Sequence, residues 1–293
     1  LKKEIEKGKF ELNEQTYHTP EANLKWLDCS TYKNMVGTAG RKGCECRAVA
    51  IAKGEYIQPK TEALLVGGYV DAYFDKSLSQ FCLDNMESVF SKTSIKRFEK
   101  TENPDDLERL TAFKQADIMI QRAIKEPLFM QYVEGETQKI LTAEIEGVPI
   151  RVKLDSYDGK RITDVKTAAS ITETYYAKDS GQRLNFVENF GYIEQAFFYQ
   201  TAVEQNFGKH LPFYLAVITK EKHNNEPHPR VAVIQIPDKI IEDKGKEIRE
   251  KIKGVWNVLQ GEFDPIPCGT CEWCADNLPL EKVISLDELL VEV

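Results

Sequence analysis

No stretch of about 18 uninterrupted apolar residues occurs among these 293 residues, and no basic-then-apolar leader opens them, so neither a membrane span nor a secretory signal is expected. The default location that follows is cytoplasmic. An excess of positive charge is missing too. Lys and Arg number 39 against 47 Asp and Glu, a net charge of -8. That excludes a grip on nucleic acid through a generally basic surface and leaves local patches and bound cations to do the work. Lys92, Lys96, Arg97 and Lys100 form one such patch, though a charge run of this kind is more often just a solvated helix face. The four histidines, His18, His210, His223 and His228, lie apart and make no zinc-protease motif. No glycine-rich loop runs into lysine and serine or threonine, so an ATP-driven motor is not encoded. Internal repeats and low-complexity linkers are also lacking.

What is present is 42% hydrophobic residues, enough for a substantial core. Residues 1–30 are polar with little periodicity and read as an N-terminal arm; residues 31–293 read as a single domain ending in a cysteine cluster. Helices are expected over 61–74, where Gly67 and Gly68 suggest close packing against another backbone, and over 105–125, stopped by Pro127. Strands follow over 139–145, 148–155 and 161–166. A helix over 188–207 stops at Gly208, strands occupy 213–219 and 231–236, and a charged helix covers 238–260. Helices and strands in this order make an α/β domain.

The stretch Leu154-Asp-Ser-Tyr-Asp-Gly-Lys-Arg-Ile-Thr-Asp-Val-Lys166 carries the chemistry. Val148, Ile150, Val152 and Leu154 alternate with Arg151, Lys153 and Asp155, as in a half-buried strand. Asp158-Gly159 supplies a turn, and a period of two puts Ile162, Asp164 and Lys166 on one face of the returning strand. A twisted hairpin brings Asp155 near Asp164, two hard carboxylate ligands for Mg2+ or Mn2+. Lys166 is placed to orient or deprotonate a water and to balance developing negative charge. Alone, the spacing also fits a solvated hairpin.

Context shifts that balance. Gly67 to Asp71 on an early helix, Glu144, Asp155, Asp164-Val165-Lys166 and Gln195-Ala-Phe-Phe-Tyr199 form an ordered set. It resembles the PD-(D/E)xK nuclease superfamily, specifically the RecE-like phage exonucleases and their relatives in the RecB nuclease group. Gly147-Val148-Pro149-Ile150, Arg183-Leu184-Asn185-Phe186 and Cys268-Gly-Thr-Cys271 look like segments of nuclease-like proteins from phages and prophages of Gram-positive bacteria. The resemblance implies an α/β fold with a restriction-endonuclease-like core, a central mixed sheet flanked by helices. It implies Asp155 and Asp164 as metal ligands, with the Val165 carbonyl contributing, and Lys166 as the catalytic lysine. Gln195 and Tyr199, one helical turn apart, would reach the active centre or the DNA backbone. Asp71 aligns where the family presents histidine or glutamate to the metal, and Glu144 stands as a second-metal or water-positioning residue.

The implied activity is Mg2+-dependent exonucleolytic hydrolysis of linear double-stranded DNA from the 5' end in a bacterial host cell. The exposed strand would pass to a single-strand annealing protein, and related toroidal exonucleases make a homo-oligomer plausible. Two other readings stay open: a catalytically inactive protein that grips DNA ends, and a structure-specific endonuclease on the same core.

Seven cysteines, an odd count, argue against a disulfide framework. Cys268-x2-Cys271-x2-Cys274 is a soft-ligand cluster suited to zinc or iron-sulfur. Some RecB-type nucleases close their domain with one N-terminal and three C-terminal cysteines around a 4Fe-4S cluster, and this arrangement resembles theirs. Cys44 is then the preferred fourth ligand, with Cys46 the alternative; reduced free thiols in a tight turn remain the competing reading.

Overall fold

The computed structural model describes residues 10–177, 181–280, 283, 285 and 286. Its centre is a five-stranded mixed sheet. In chain order the strands are β1 Glu136–Ile145, β2 Val148–Tyr157, β3 Ile162–Ala168, β4 Phe213–Thr219 and β5 Val231–Ile236. They lie side by side as β5-β4-β3-β2-β1. β3 and β4 run parallel and every other pair antiparallel. Buried on both faces, β3 and β4 are continuous apolar runs apart from Asp164, Lys166 and threonines, as sheet centres require.

The named helices are α1 Cys29–Val36, α2 Glu45–Ala52, α3 Glu62–Phe74, α4 Thr111–Ala123, α5 Tyr192–Phe207 and α6 Asp238–Gln260. One core gathers Leu154, Ile162, Phe213 and Leu215 of the sheet with Phe198 of α5 and Ile248 of α6. The other gathers Val165, Ala216 and Ile218 with Val70 of α3 and Phe113 of α4. The sheet is thus covered by two helical layers, and the side chains at the ends of β2 and β3 lie between them. Among the described residues no helix is long and apolar enough to cross a membrane.

Most expected elements form, with informative differences. The helix expected over 105–125 begins only at Thr111, because Asn103 caps a short 3-10 turn at Pro104–Asp106 and Phe90 bridges to Arg109. Pro127 opens a further helix, Pro127–Val133, where its fixed φ is tolerated. The helix expected over 188–207 is cut at Gly191 (φ 67°), where a Cβ would come within 2.8 Å of Lys33 and Thr38. Gly68 packs against the Phe81 ring and Gly67 against the Thr167 side chain, so the close approach is to side chains, not to another backbone.

The expected lead-in includes a helix at Pro20–Lys25 and a bridge from Leu27 to Ile150. Arg151, expected on the open face of a half-buried strand, is fully buried. Its guanidinium pairs with Asp28 at 2.7 Å, donates to the carbonyls of Ala22 and Trp26, and stacks on Tyr17. The segment before residue 30 supplies every one of those partners. A polar, aperiodic sequence becomes structural because it satisfies a buried charge.

Candidate metal-binding active site

β2 and β3 pair at only two positions, Ser156 with Thr163 and Tyr157 with Ile162. Beyond them the strands splay. Val165 donates its backbone N–H not to a strand carbonyl but to Asp155 Oδ2, at 3.0 Å. Strict alternation is also broken in β2: Leu154 and Tyr157, three residues apart, pack against the same core. The break coincides with Gln138 on β1, which takes φ 55°, and the ladder skips the Gln138–Asp155 pair. A non-glycine residue held at positive φ is uncommon and costly, of order 1–3 kcal/mol. The kink turns Asp155 toward Asp164 and Lys166.

Asp164 is fully buried on β3. Its Oδ1 accepts a hydrogen bond from Gln195 Nε2 at 2.8 Å. Its Oδ2 forms an ion pair with the Lys166 ammonium yet makes no well-directed hydrogen bond. The same ammonium lies 3.9 Å from Asp155 Oδ2 and donates to the Val165 carbonyl at 3.1 Å. Across the pocket, Asp71 of α3 lines a small enclosure with Asp155, Val165, Gln138 and Thr137. Burial and the charge of Asp155 push the Asp71 carboxyl up to about 8. Burial and the charge of Asp164 push Asp155 up to about 8 as well. Burial alone would lower Lys166, but Asp164, Asp155 and Asp71 outweigh it and raise the ammonium above its ordinary range. Crowded carboxylates that resist ionisation, with one buried oxygen short of a hydrogen bond, are what a hard divalent cation relieves. Asp71, Asp155, Asp164 and the Val165 carbonyl fit such an ion.

Gln195 and Tyr199 sit on α5 and act through one chain of bonds. Gln195 Nε2 also reaches the Tyr199 hydroxyl at 2.9 Å, and that hydroxyl donates to the Lys153 carbonyl at 2.8 Å. Tyr199 is buried and faces β2, so the pair ties Asp164 to the backbone of β2. Glu144 is not brought to this place. It is exposed at the turn end of β1, six residues from Gln138, roughly 20 Å along a strand. Its backbone is clipped by Gln205 of α5.

A second centre lies at the C-terminal end. Cys44, just before α2, meets Cys268, Cys271 and Cys274, and the four sulfur atoms all lie within 4.8 Å of one another. Among the described residues no other set of three or more metal-type ligands is drawn together so tightly. Cys44 is 3.6 Å and Cys268 3.9 Å from Cys274. Burial raises the Cys268 thiol, but hydrogen bonds from Thr270 and Cys271 outweigh it and bring it to about 6. Cys46 points elsewhere, to the Pro265 carbonyl at 3.1 Å. The four cysteines form a cluster capable of metal coordination.

Sequence reasoning missed Gln138 and the residues beside the carboxylates: Tyr175, Phe190, Tyr192 and Lys220. The Tyr192 ring lies 5.5 Å from the Lys166 ammonium. No local motif marks these side chains, because apart from Phe190 and Tyr192, which share one junction, each comes from a different element.

A profile of the family described as a PDDEXK-like domain of unknown function (DUF3799) matches residues 28–277. No curated protein matches significantly. Among solved structures, the chain is similar to a Eubacterium rectale protein whose crystal structure is described as that of a candidate exonuclease. The two are 34% identical with a TM-score of 0.87, over 97% of this chain and all of the other.

Proposed function

The chain belongs to the PDDEXK-like DUF3799 family, and on that premise we propose that it is a Mg2+- or Mn2+-dependent deoxyribonuclease acting as an exonuclease on linear double-stranded DNA. The observation that carries the reading is the convergence of Asp155, Asp164 and Lys166 at the splay of β2 and β3, with Asp71 facing them from α3. A bound divalent ion there supplies Lewis acidity, making a water nucleophilic and neutralising phosphate charge.

The chain's own residues do the rest. Asp71, Asp155 and Asp164 present hard oxygens, and Gln195 with Tyr199 fixes the plane of Asp164. The Lys166 ammonium holds its proton among three carboxylates and faces the developing negative charge of a cleaved phosphodiester. End-directed digestion from the 5' side, feeding a single-strand annealing protein, is the biological role we assign by likeness to the RecE-like group.

For the cysteines we infer a single zinc ion that staples residues 268–274 to the start of α2. A tetrahedron of Zn–S bonds of about 2.3 Å has edges of about 3.8 Å. Two of the six separations, 3.6 and 3.9 Å, match it and all six lie within 4.8 Å, closer than an iron-sulfur cube holds its thiolates. Iron and zinc analysis of anaerobically purified protein decides.

The test of the activity incubates linear and covalently closed duplex with Mg2+ using wild type, Asp164→Ala and Lys166→Ala. Loss of linear duplex by wild type alone is the expected result, with end-labelled substrates reporting polarity. Cutting of closed circles would make it an endonuclease, and binding without degradation in either metal would overturn the catalytic reading.

A further inference from the structure

Asp71 and Lys166 also line a cleft of about 550 Å3. Thr61, Leu64 and Gly67 of the α3 end contribute to it, along with Thr167 and Ala168 at the end of β3. Among the rest of the lining are three aromatic rings and Lys220. Tyr175 and Phe190 meet edge to face at 5.3 Å, Phe190 and Tyr192 lie 6.0 Å apart, and Tyr192 ends the row beside the Lys166 ammonium. Phe190 is 43% exposed, an apolar ring left in water at the edge of a polar site. Lys220 lines the same cleft, half-buried, and its ammonium makes no hydrogen bond or ion pair among the described residues. Burial lowers its pKa against the distant pull of Glu62, the mark of a cation that lacks an anion.

Aromatic faces and an unpaired ammonium, continuous with a phosphodiester site, match a nucleotide: base on rings, phosphate on lysine. A cleft of this volume takes a ligand of small-molecule size and excludes a base-paired helix. Lys166 is already ringed by Asp71, Asp155 and Asp164, so Lys220 is the cation of this cleft that favours an anionic group.

We propose that the cleft is a binding subsite for one unpaired nucleotide of the strand being cut, with Tyr175 and Phe190 as its base-stacking residues and Lys220 as its phosphate contact. The proposal rests on the nuclease reading above and specifies the form of DNA that occupies the site. Stacking accepts every base, so the subsite selects for unpaired structure and not for sequence.

The probe is a short single-stranded oligonucleotide carrying 2-aminopurine at its end, mixed with the full chain in EDTA so that nothing is cut. Stacking on the rings quenches its fluorescence on binding to wild type. Phe190→Leu, which keeps apolar bulk and removes the ring, and Tyr175→Ala each weaken binding roughly 5- to 150-fold and abolish most of the quenching. Lys220→Ala lowers the salt dependence by about 0.7 in log–log slope, as loss of one phosphate contact to a single strand requires. In Mg2+, wild type degrades a duplex with several mismatched terminal pairs faster than a blunt one, and Phe190→Leu loses that preference.

Melting temperatures within a few degrees of wild type certify the folds. Folded variants with unchanged quenching and affinity overturn the subsite, even if Mg2+-dependent cleavage is intact. Intact quenching in wild type with no cleavage in any metal overturns the nuclease reading and leaves the subsite standing.

Discussion

Replacing Gln195 by alanine separates a residue that holds Asp164 from one that touches DNA. The amide donates to a fully buried carboxylate at 2.8 Å and to the Tyr199 hydroxyl at 2.9 Å. A hydrogen bond to a charged group contributes about 1.5–3 kcal/mol, and at about 2.1 cal/mol/K of unfolding entropy per residue each kcal/mol moves the melting temperature of this chain by about 1.6 °C. Gln195→Ala should therefore melt roughly 2–5 °C lower. With Asp164 free to rotate, the Mg2+ concentration for half-maximal activity should rise about 10–100-fold, the usual cost of losing a ligand's outer partner. Tyr199→Phe removes the far end of the same chain, the bond to the Lys153 carbonyl, and should produce a smaller shift of the same kind. Because the bonds are linked, the double variant should fall short of the sum of the singles. The assay is a Mg2+ titration of cleavage rate for the four proteins, with melting curves beside it. If Gln195→Ala raised only the KM for DNA, with melting and Mg2+ midpoint unchanged, the positioning argument would be refuted.

Asp71 and Asp155, both pushed up to about 8, make the metal-free fold bind protons that the unfolded chain releases near pH 4. Their contribution is full below pH 4 and lost as pH rises through 8, so in EDTA melting should fall across that window, and Mg2+ should stabilise more at pH 8.5 than at pH 5.5. Cys44→Ser should reduce bound zinc well below one per chain and lower the melting temperature, whereas Cys46→Ser should keep the ion; metal analysis of both proteins checks this. Asp28→Ala strands the fully buried Arg151, a loss of about 3–5 kcal/mol. Melting should drop steeply with the Mg2+ midpoint unchanged, and an unaltered melting curve would show that the segment before residue 30 does not anchor the sheet.

Much of the architecture is legible locally. Phe213–Thr219, Val231–Ile236 and Asp238–Gln260 form where the apolar patterning places them. Gly208, left-handed at φ 64°, ends α5 as a glycine cap should. The motif Asp164-x-Lys166 is legible too, because two residues two apart on a strand must share a face. What periodicity hid was the single break between Leu154 and Tyr157 that aims Asp155, since a kink stabilised by a neighbouring strand leaves no mark in its own residues.

By itself, then, the sequence determined an α/β sheet core, a carboxylate–lysine hairpin, a helix bearing Gln195 and Tyr199, and three clustered cysteines, all features set within a few residues by backbone geometry. Only the tertiary structure decided which distant groups complete them. It brought Asp71 to the hairpin and left Glu144 at the far end of its strand. It chose Cys44 over Cys46, and it built an aromatic, lysine-bearing cleft beside Lys166. Those choices depend on how helices more than a hundred residues apart pack across one sheet, and no local pattern along the chain records that packing.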